Sequence, residues 1–265
     1  MYGQQSMRFG PPETPKIIKQ LMIANLVVFI AQLVVPQSVS DLAAVQPSAV
    51  WNGGYLWQPF TYMWMHGGFG HIAMNCFALW MFGSEVAMVW GAKRFLRFYL
   101  LCGIGAGFMI ASWPFVTLLF SETDAKVLET FTVGASGAVY AVVLAYSLMW
   151  PDRRIMLIFP PVSFRAIWLI PALLGMTILM SGSEGGISHV GHLGGVLLGW
   201  LYLRRRGVVV EHSASGPADP SALSPSGLKR RWRRWRMRKR LRAVRSEQTP
   251  QQPGNQDRSD GDRTP

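Results

Sequence analysis

A serine between two glycines is the first feature of this chain that is suited to chemistry. The segment Phe131-Thr-Val-Gly-Ala-Ser-Gly-Ala-Val-Tyr140 places Ser136 between Gly134 and Gly137, and an apolar run continues from there to Trp150. Small neighbours let a substrate backbone approach the hydroxyl, and a helix that begins here directs free N–H groups at an adjacent oxyanion. The same pattern is also typical of a close-packing helix face, so both interpretations stay open for this segment alone.

A second apolar stretch, Trp64-Met-His-Gly-Gly-Phe-Gly-His-Ile-Ala-Met-Asn75, contains three polar side chains that need an explanation. In hydrocarbon such groups are costly unless they are paired. His71 and Asn75 are four residues apart and share a helical face, whereas His66 points elsewhere unless the helix begins after it. Hydrogen bonding between helices is the alternative interpretation for each residue taken singly.

The last apolar stretch, Ile187-Ser-His-Val-Gly-His-Leu-Gly-Gly-Val-Leu-Leu-Gly199, combines histidine with a glycine groove. His192, Gly195 and Gly199 stand at i, i+3 and i+7, so the imidazole and the groove occupy one side of a helix. A neighbouring helix can come very close to such a groove. If that neighbour carries the serine, His192 is placed as its general base, and His189, one turn nearer the surface, competes for the role.

These residues together predict a nucleophilic site. No carboxylate lies near this level in the three segments, so we infer a Ser136 and His192 pair without an acidic third member. Tyr140 follows the serine by one helical turn and is expected to pack against the imidazole and orient it. A tetrahedral intermediate needs hydrogen-bond donors, for which the Ser136 N–H, the Asn75 amide and the His71 imidazole are the candidates.

Six apolar runs are available to position these residues. Half of the 265 residues are hydrophobic and only 15% are charged, which is typical of a membrane protein. The first run is too long for a signal peptide and lacks a small-x-small cleavage pattern, so we expect it to be retained. The sequence thus predicts an all-α, polytopic membrane protein with six transmembrane helices. The runs lie near residues 18–36, 60–82, 95–113, 134–150, 165–181 and 187–203.

Basic residues alternate from one connection to the next and set the orientation. By the positive-inside rule both termini are cytoplasmic, so the second, fourth and sixth spans enter from the outside. The polar residues then all lie in the outer halves of their spans, a shared depth that independent packing residues would not be expected to have. The expected cytoplasmic groups are Arg8, Lys16 and Lys19; Lys93, Arg94 and Arg97; Arg153, Arg154 and Arg165; and Arg204, Arg205 and Arg206.

The domain organisation follows from composition. Residues 16–206 form the membrane domain, preceded by a polar, Pro-containing cytoplasmic segment, 1–15, that is expected to lack fixed structure. A linker, 207–227, leads to a basic cytoplasmic segment, 228–245, and a disordered tail, 246–265. Eleven Lys or Arg residues lie within 229–245 with no acid. This favours attachment to anionic lipid headgroups, with nucleic acid as the weaker alternative partner.

The two cysteines lie within predicted spans. Cys76 is in the second run and Cys102 in the third, away from the outward loops where an oxidising compartment pairs thiols. We therefore predict no structural disulfide.

The three motifs together resemble the rhomboid family of intramembrane serine proteases, over about residues 17–206. They are His66-x4-His71-x3-Asn75, Gly134-Ala-Ser136-Gly137 with Tyr140, and Gly191-His192-Leu-Gly-Gly195-x3-Gly199. The resemblance implies Ser136 as nucleophile, His192 as base, and His71, Asn75 and the Ser136 N–H as the oxyanion site, without cofactor or metal. It also implies a bacterial inner-membrane location and a substrate that is itself a transmembrane helix, often of a single-span protein, cut near its outer end.

Two positions depart from the family pattern. Many members have Trp-Arg where this chain has Trp57-Gln58, and many carry an acidic residue at the position of Ala87, whereas here Glu85 lies two residues earlier. Neither position belongs to the proposed chemistry. They bear on how the first outer loop is anchored and on the cytoplasmic end of the second span.

Two other classes of function remain possible from the sequence. A rhomboid-like adaptor would bind membrane clients without cleaving them, although it would not need both Ser136 and His192. Alternatively, His66, His71, His189 and His192 could form a metal site for transport or metalloproteolysis. Catalytic zinc sites usually add a carboxylate, and the chain contains no His-Glu-x-x-His motif.

Overall fold

A computed structural model describes residues 10–120, 125–156, 162–180 and 186–206, and this part of the chain is mainly helical, as predicted. The predicted linker, basic segment and tail lie outside the described residues. The helices are α1 (Lys16–Val34), α2 (Gln37–Asp41), α3 (Pro47–Trp51), α4 (Gln58–Thr61), α5 (Phe69–Ala78), α6 (Ser84–Trp90), α7 (Ala92–Phe120), α8 (Ser136–Met149), α9 (Leu169–Met180) and α10 (Gly186–Arg206).

Three helical segments in the described ranges are long and apolar enough to cross a membrane. They are Lys16–Val34, Phe69–Trp90 and Ala92–Phe120. Two shorter apolar helices, Ser136–Met149 and Ala166–Thr177, lie within the predicted fourth and fifth spans. The helix α10 covers the sixth predicted run and has 21 residues.

The second predicted span, 60–82, is wrong as a single helix. Its first part forms α4 and a 3-10 turn, Tyr62–Trp64, and then the chain becomes extended at Met65. Gly68 has a φ of +157°, a conformation that favours glycine, and α5 begins directly after it. The helix then continues through a π-helical turn, Leu79–Gly83, into α6 and ends before Gly91.

Glycines let three helices pack closely. The sixth-run helix α10 packs against both α7 and α8, which also contact each other. A Cβ atom added to Gly199 would lie 3.1 Å from the Ala141 Cβ atom, and one added to Gly195 would collide with the Gly137 carbonyl oxygen. Backbone therefore meets backbone at this crossing, as the predicted glycine groove requires.

The connection between α1 and α5 is fixed by backbone and side-chain hydrogen bonds. Val45 and Thr132 form an isolated antiparallel bridge, with N–H to oxygen distances of 2.9 and 2.8 Å. The Trp57 indole donates to the Leu42 carbonyl at 3.0 Å. Gln58, at the position where many family members have arginine, is buried and accepts the Gln46 N–H at 3.0 Å. Gln58 thus anchors the connection between α1 and α5 although it is not an arginine.

The opposite end of the bundle is closed by charged and aromatic side chains. Glu85 forms an ion pair with Arg153, which follows α8, and the Arg153 guanidinium also donates to the Tyr146 hydroxyl at 3.2 Å. A short antiparallel hairpin comes next, β1 (Arg154–Met156) paired with β2 (Ser163–Arg165). Glu85, which lies two residues before the position where many family members carry an acid, therefore joins the α5–α6 segment to the end of α8.

Two further features concern the sequence expectations. Cys76 and Cys102 are both free thiols. Within the segment expected to lack fixed structure, the Thr14 hydroxyl accepts a hydrogen bond from the Trp80 indole at 2.9 Å. This contact holds the chain just before α1 against the α5–α6 segment. The rest of that segment, before residue 10, lies outside the described residues.

Candidate active site

Ser136 is the first residue of α8 and is half-buried. The loop before it is fixed by its backbone, because the Gly134 N–H donates to the Tyr62 carbonyl at 2.9 Å. Tyr62 is itself held by its hydroxyl, which donates to the Gly103 carbonyl of α7 at 2.8 Å. The Val139 N–H donates to the Ala135 carbonyl at 3.0 Å, whereas the N–H groups of Ser136, Gly137 and Ala138 have no acceptor earlier in the helix and can meet a ligand beside the serine.

His192 meets Ser136 across the glycine crossing. Its Nε2 atom lies 2.8 Å from the Ser136 Oγ atom, a hydrogen-bond distance. The close approach of α10 and α8 at Gly195 and Gly137 brings the two side chains within reach. Of the two histidines that competed for this contact, the structure places His192 at the serine, and nothing in the described residues joins His189 to it.

Tyr140 packs flat against the histidine. The two ring centroids are 4.3 Å apart and the planes differ by only 5°. The Tyr140 hydroxyl reaches α9, where it lies 2.6 Å from the Thr177 hydroxyl and donates to the Leu173 carbonyl at 3.2 Å. One phenol ring therefore joins α8, α9 and α10 around the imidazole, and it limits rotation of the His192 ring.

In the described ranges no carboxylate hydrogen-bonds to His192 on the Nδ1 side of its ring, away from Ser136. The His192 Nδ1 atom is buried and has no hydrogen-bond partner there, and the same is true of the His189 Nδ1 atom. For Nε2 to accept the serine proton, the imidazole must carry its own proton on Nδ1. The arrangement is thus a serine and histidine pair in which the tyrosine, rather than an acid, orients the ring.

His71 faces the serine from α5. The Gly67 N–H donates to its Nδ1 atom at 3.3 Å, so in the neutral ring the proton lies on Nε2, which can donate. A Cβ atom added to Gly134 would lie 2.7 Å from His71 Nε2 and 3.7 Å from Ser136 Oγ. Gly134 also has a φ of +129°. A glycine is therefore required both by the backbone conformation and by the space between the imidazole and the hydroxyl.

Asn75 lies one turn after His71 on the same helix, as its spacing predicts. It is buried, and its Nδ2 atom donates to the His71 carbonyl at 2.9 Å. One of the two amide hydrogens is used in this bond, and the other remains for a ligand. The bond fixes the amide on the helix face that carries the imidazole.

His66 supports this face. It is 1% exposed, and its ring meets the His71 ring edge-on with centroids 5.2 Å apart. The helix does begin after His66, which was the condition under which the two histidines could meet. Neither His66 ring nitrogen has a hydrogen-bond partner in the described part of the chain.

Three residues of the site have no counterpart in the sequence predictions. Tyr62 holds the serine loop, Thr177 pairs with Tyr140, and Gln32 of α1 binds the backbone of His66 through two hydrogen bonds of 3.0 Å. The available signal was polarity, because Gln32 and Thr177 are uncharged polar residues inside apolar runs. Tyr62 gave no such signal, since its contact to the serine loop uses its backbone.

The metal-site hypothesis receives no support from the side-chain positions. His66 and His71 are neighbours, but the described ranges hold no group of three or more His, Cys, Asp or Glu residues arranged to bind a metal ion. His192, another histidine of that hypothesis, instead lies at hydrogen-bond distance from Ser136.

Comparison with known proteins shows which family this chain resembles. The family model described as the rhomboid domain matches residues 53–206. The chain is 28% identical to Rhomboid protease AarA of Providencia stuartii over 198 residues, which are 68% of this chain and 69% of that protein. It is also 31% identical to Rhomboid protein 1, mitochondrial, of Saccharomyces cerevisiae and 30% identical to the mouse Presenilin-associated rhomboid-like protein, mitochondrial, each over 140 residues.

The extent of these matches differs. The two mitochondrial matches cover 52% of this chain, and the chain spans only 38% and 35% of those proteins. The family match, by contrast, covers more than half of the 265 residues and includes His71, Asn75, Ser136 and His192. The chain therefore belongs to the rhomboid family.

Proposed function

We propose that this chain is an intramembrane serine endopeptidase that hydrolyses peptide bonds in or near the transmembrane helices of membrane proteins. The observation that carries the proposal is the 2.8 Å separation of His192 Nε2 and Ser136 Oγ, which suits proton transfer from the hydroxyl. Similarity to a relative named as a rhomboid protease supports the same reaction class.

In the acylation step, His192 Nε2 takes the proton from Ser136 Oγ while the oxygen attacks the scissile carbonyl carbon. The carbonyl double bond becomes a single bond and its oxygen gains the negative charge. His192 then gives its proton to the leaving amine as the C–N bond breaks, which leaves an acyl ester on Ser136. Tyr140, stacked at 4.3 Å, holds the imidazole in one orientation through both transfers.

The oxyanion requires donors placed before the reaction begins. We assign this role to the Ser136 N–H at the start of α8, the His71 Nε2–H and the free hydrogen of the Asn75 amide. In the deacylation step His192 takes a proton from water as the water oxygen attacks the ester carbon. The proton then passes to Ser136 Oγ as the ester C–O bond breaks, which releases the carboxylic acid product and restores the free serine. The same donors bind the oxyanion in both steps.

The proposed topology is six transmembrane helices within residues 16–206, with both termini cytoplasmic and the site opening outward, in a bacterial inner membrane. The three long apolar helices and the alternation of basic residues support it. The substrates are single-span or other transmembrane proteins, which reach the site from the lipid. We further propose that the basic segment, 228–245, binds anionic lipid headgroups.

The test is cleavage of a single-span test protein in detergent by the purified full chain. The native chain should cut it, and Ser136→Ala and His192→Ala should each lower kcat by at least about 1,000-fold, since neither member of the pair acts without the other. The native serine should also be labelled by a fluorophosphonate, whereas Ser136→Ala should not.

His189→Ala is the matched control, because it removes a histidine one turn from His192 without touching the serine. It should retain most of the activity. The proposal would be overturned if Ser136→Ala still cleaved the test protein. It would also be overturned if chelators inhibited cleavage and serine-directed reagents did not. If the native chain binds the test protein but never cleaves it, the adaptor alternative takes its place.

A further inference from the structure

The connection between the 3-10 turn and α5 is held from outside by one side chain. At His66 the backbone is neither helical nor part of a sheet, yet both of its peptide groups are paired with Gln32 of α1. The Gln32 Nε2 atom donates to the His66 carbonyl at 3.0 Å, and the His66 N–H donates to Gln32 Oε1 at 3.0 Å. The carboxamide thus makes the two hydrogen bonds that a neighbouring strand would otherwise make.

The residue held in this way contacts His71 by two routes. Its own ring packs edge-on against the His71 ring, with centroids 5.2 Å apart. The next residue, Gly67, donates its N–H to His71 Nδ1 at 3.3 Å and so sets which ring nitrogen carries the proton. A shift of the His66 backbone would therefore move both of the groups that orient the imidazole.

We propose that Gln32 is a positioning residue, which fixes the His66 backbone and thereby directs the His71 Nε2–H toward the space beside Ser136. The inference rests on the proposed function, because the oxyanion is the group that this hydrogen would bind. Within the described residues, the side-chain hydrogen bonds of Gln32 go to the His66 backbone and not to Ser136 or His71, so Gln32 would act through the residue that supports the donor.

The alternative is that the carboxamide only fastens α1 to the bundle. Two observations favour the positioning role. The helix α1 already contacts α5 and the 3-10 turn through packing, and it contributes buried apolar residues at Ile17, Ile18, Leu21 and Phe29. The Gln32 hydrogen bonds, in contrast, go to the backbone N–H and carbonyl of His66, and the next residue, Gly67, orients His71. No other hydrogen bond in the described residues pairs these two His66 backbone groups.

The experiment compares Gln32→Met with Leu33→Met. Methionine has a length similar to that of glutamine but cannot pair with the His66 backbone, and Leu33 is the adjacent, 70% exposed residue of the same helix. Removing one oxyanion donor typically costs about 100-fold to 1,000-fold in kcat. Because Gln32→Met displaces a donor without removing it, kcat should fall about tenfold with KM within about twofold, and Leu33→Met should leave both unchanged.

A second comparison separates positioning from fastening. In a His71→Ala background, Gln32→Met should change the residual kcat by less than about twofold, because the group through which it acts is gone. Equal losses in the two backgrounds, accompanied by a lower thermal midpoint of unfolding, would mean that Gln32 only fastens α1, and the inference would be overturned.

A measurement that needs no cleavage keeps the inference separate from the proposed function. Nitrogen-15 shifts of labelled histidine report which ring nitrogen is protonated. In the native chain the His71 signal, assigned by its loss in His71→Ala, should show the Nε2–H tautomer, and in Gln32→Met the Nδ1–H tautomer should appear. An unchanged tautomer sinks the inference even if the protein is a protease. If the native chain does not cleave but the tautomer shifts, the protease proposal alone fails.

Discussion

At the end of the bundle that holds Ser136, neighbouring helices meet through glycines and backbone groups, whereas at the end that holds Glu85 and Arg153 they meet through charged and aromatic side chains. The first end includes Gly134, with φ +129°, and several buried ring nitrogens without partners in the described residues. The second has an ion pair and a guanidinium beside the Tyr146 and Trp150 rings, 5.9 and 5.5 Å from their centroids.

This difference indicates that the end with Ser136 holds its side chains in place at some cost in the free energy of unfolding. Unpaired buried nitrogens and left-handed backbone are each unfavourable, and they persist where the surrounding contacts leave no other arrangement. The opposite end also has a left-handed glycine, Gly91, and buried atoms of Ser84 and Trp90 that are unpaired within the described residues, but its ion pair and its guanidinium contacts offset part of that cost. Substitutions at the site end should therefore act mainly on kcat, and those at the opposite end mainly on the free energy of unfolding.

Among substitutions that leave Ser136 and His192 in place, the largest effect is expected from Gly195→Val. A side chain here collides with the Gly137 carbonyl oxygen, and backbone on both sides leaves nowhere for it to go. The helices α8 and α10 must then separate, which lengthens the distance from Ser136 to His192. A misplacement of about 1 Å can cost about 100-fold in rate, so kcat should fall by at least that factor in the cleavage assay.

Gly175→Ala is the control for this prediction. Gly175 also lies in an apolar helix, α9, but an added Cβ atom meets nothing within 4 Å. The substitution should leave kcat unchanged and should not lower the thermal midpoint, since alanine favours the helix by about 1 kcal/mol. Equal losses in the two variants would show that the glycines serve helix flexibility and not the close crossing.

Gly134→Ala should have the next largest effect. It combines an unfavourable φ with a Cβ atom 2.7 Å from His71 Nε2, in the space where the oxyanion is proposed to form. Because one donor is displaced and the space is filled, kcat should fall about 100-fold or more. The measurement is kcat together with the rate of fluorophosphonate labelling, and both should drop.

Gly91→Ala separates the two causes. Gly91 has a φ of +75° and lies at the opposite end, where an added Cβ atom meets nothing within 4 Å. Backbone strain of this type costs about 1 to 3 kcal/mol, so the thermal midpoint should fall while kcat stays near the native value. If Gly91→Ala lowers kcat as much as Gly134→Ala does, strain alone explains both variants and the comparison of the two ends breaks down.

A smaller effect is expected at Tyr140. Tyr140→Phe keeps the ring stacked on His192 and loses only the hydroxyl contacts to Thr177 and Leu173. It should retain kcat within about threefold and lose about 1 kcal/mol of stability. Tyr140→Leu removes the ring, and with it a contact of about 0.5 to 1.5 kcal/mol, so kcat should fall about tenfold. Equal kcat values for the two variants would contradict an orienting role for the ring.

The sequence was sufficient to predict which helices meet at the site. Ser136, His192 and Gly195 are recognisable because a histidine is unusual in an apolar helix, and because the spacing of the small residues places the serine and the glycine groove on defined helix faces. The structure brings the serine and the histidine together across that glycine.

Contacts to backbone groups were beyond prediction. Gln32 and Tyr62 act on or through peptide groups, which every residue possesses, so no pairing of residue types reveals them. The break before α5 was missed for a different reason. The apolar run continues across Gly67 and Gly68, so hydropathy gave one span, although the two glycines were the signal for a change in the chain direction.

The smallest effect is expected from the ion pair at the opposite end. Glu85→Gln removes one charge of the pair with Arg153, whose side chain is 43% exposed. Solvent weakens such pairs, so the coupling energy in a double-mutant cycle of Glu85→Gln and Arg153→Gln should stay below about 1 kcal/mol, with kcat unchanged in all three variants. Arg153→Gln alone should cost more stability, because it also loses the contacts to the Tyr146 hydroxyl and the Trp150 ring.

Arg154→Gln, one residue further along on an exposed strand, is the control and should leave stability unchanged. A fall in kcat for Glu85→Gln would mean that the two ends are coupled through α5 and α6, and that catalysis depends on more than the geometry at Ser136.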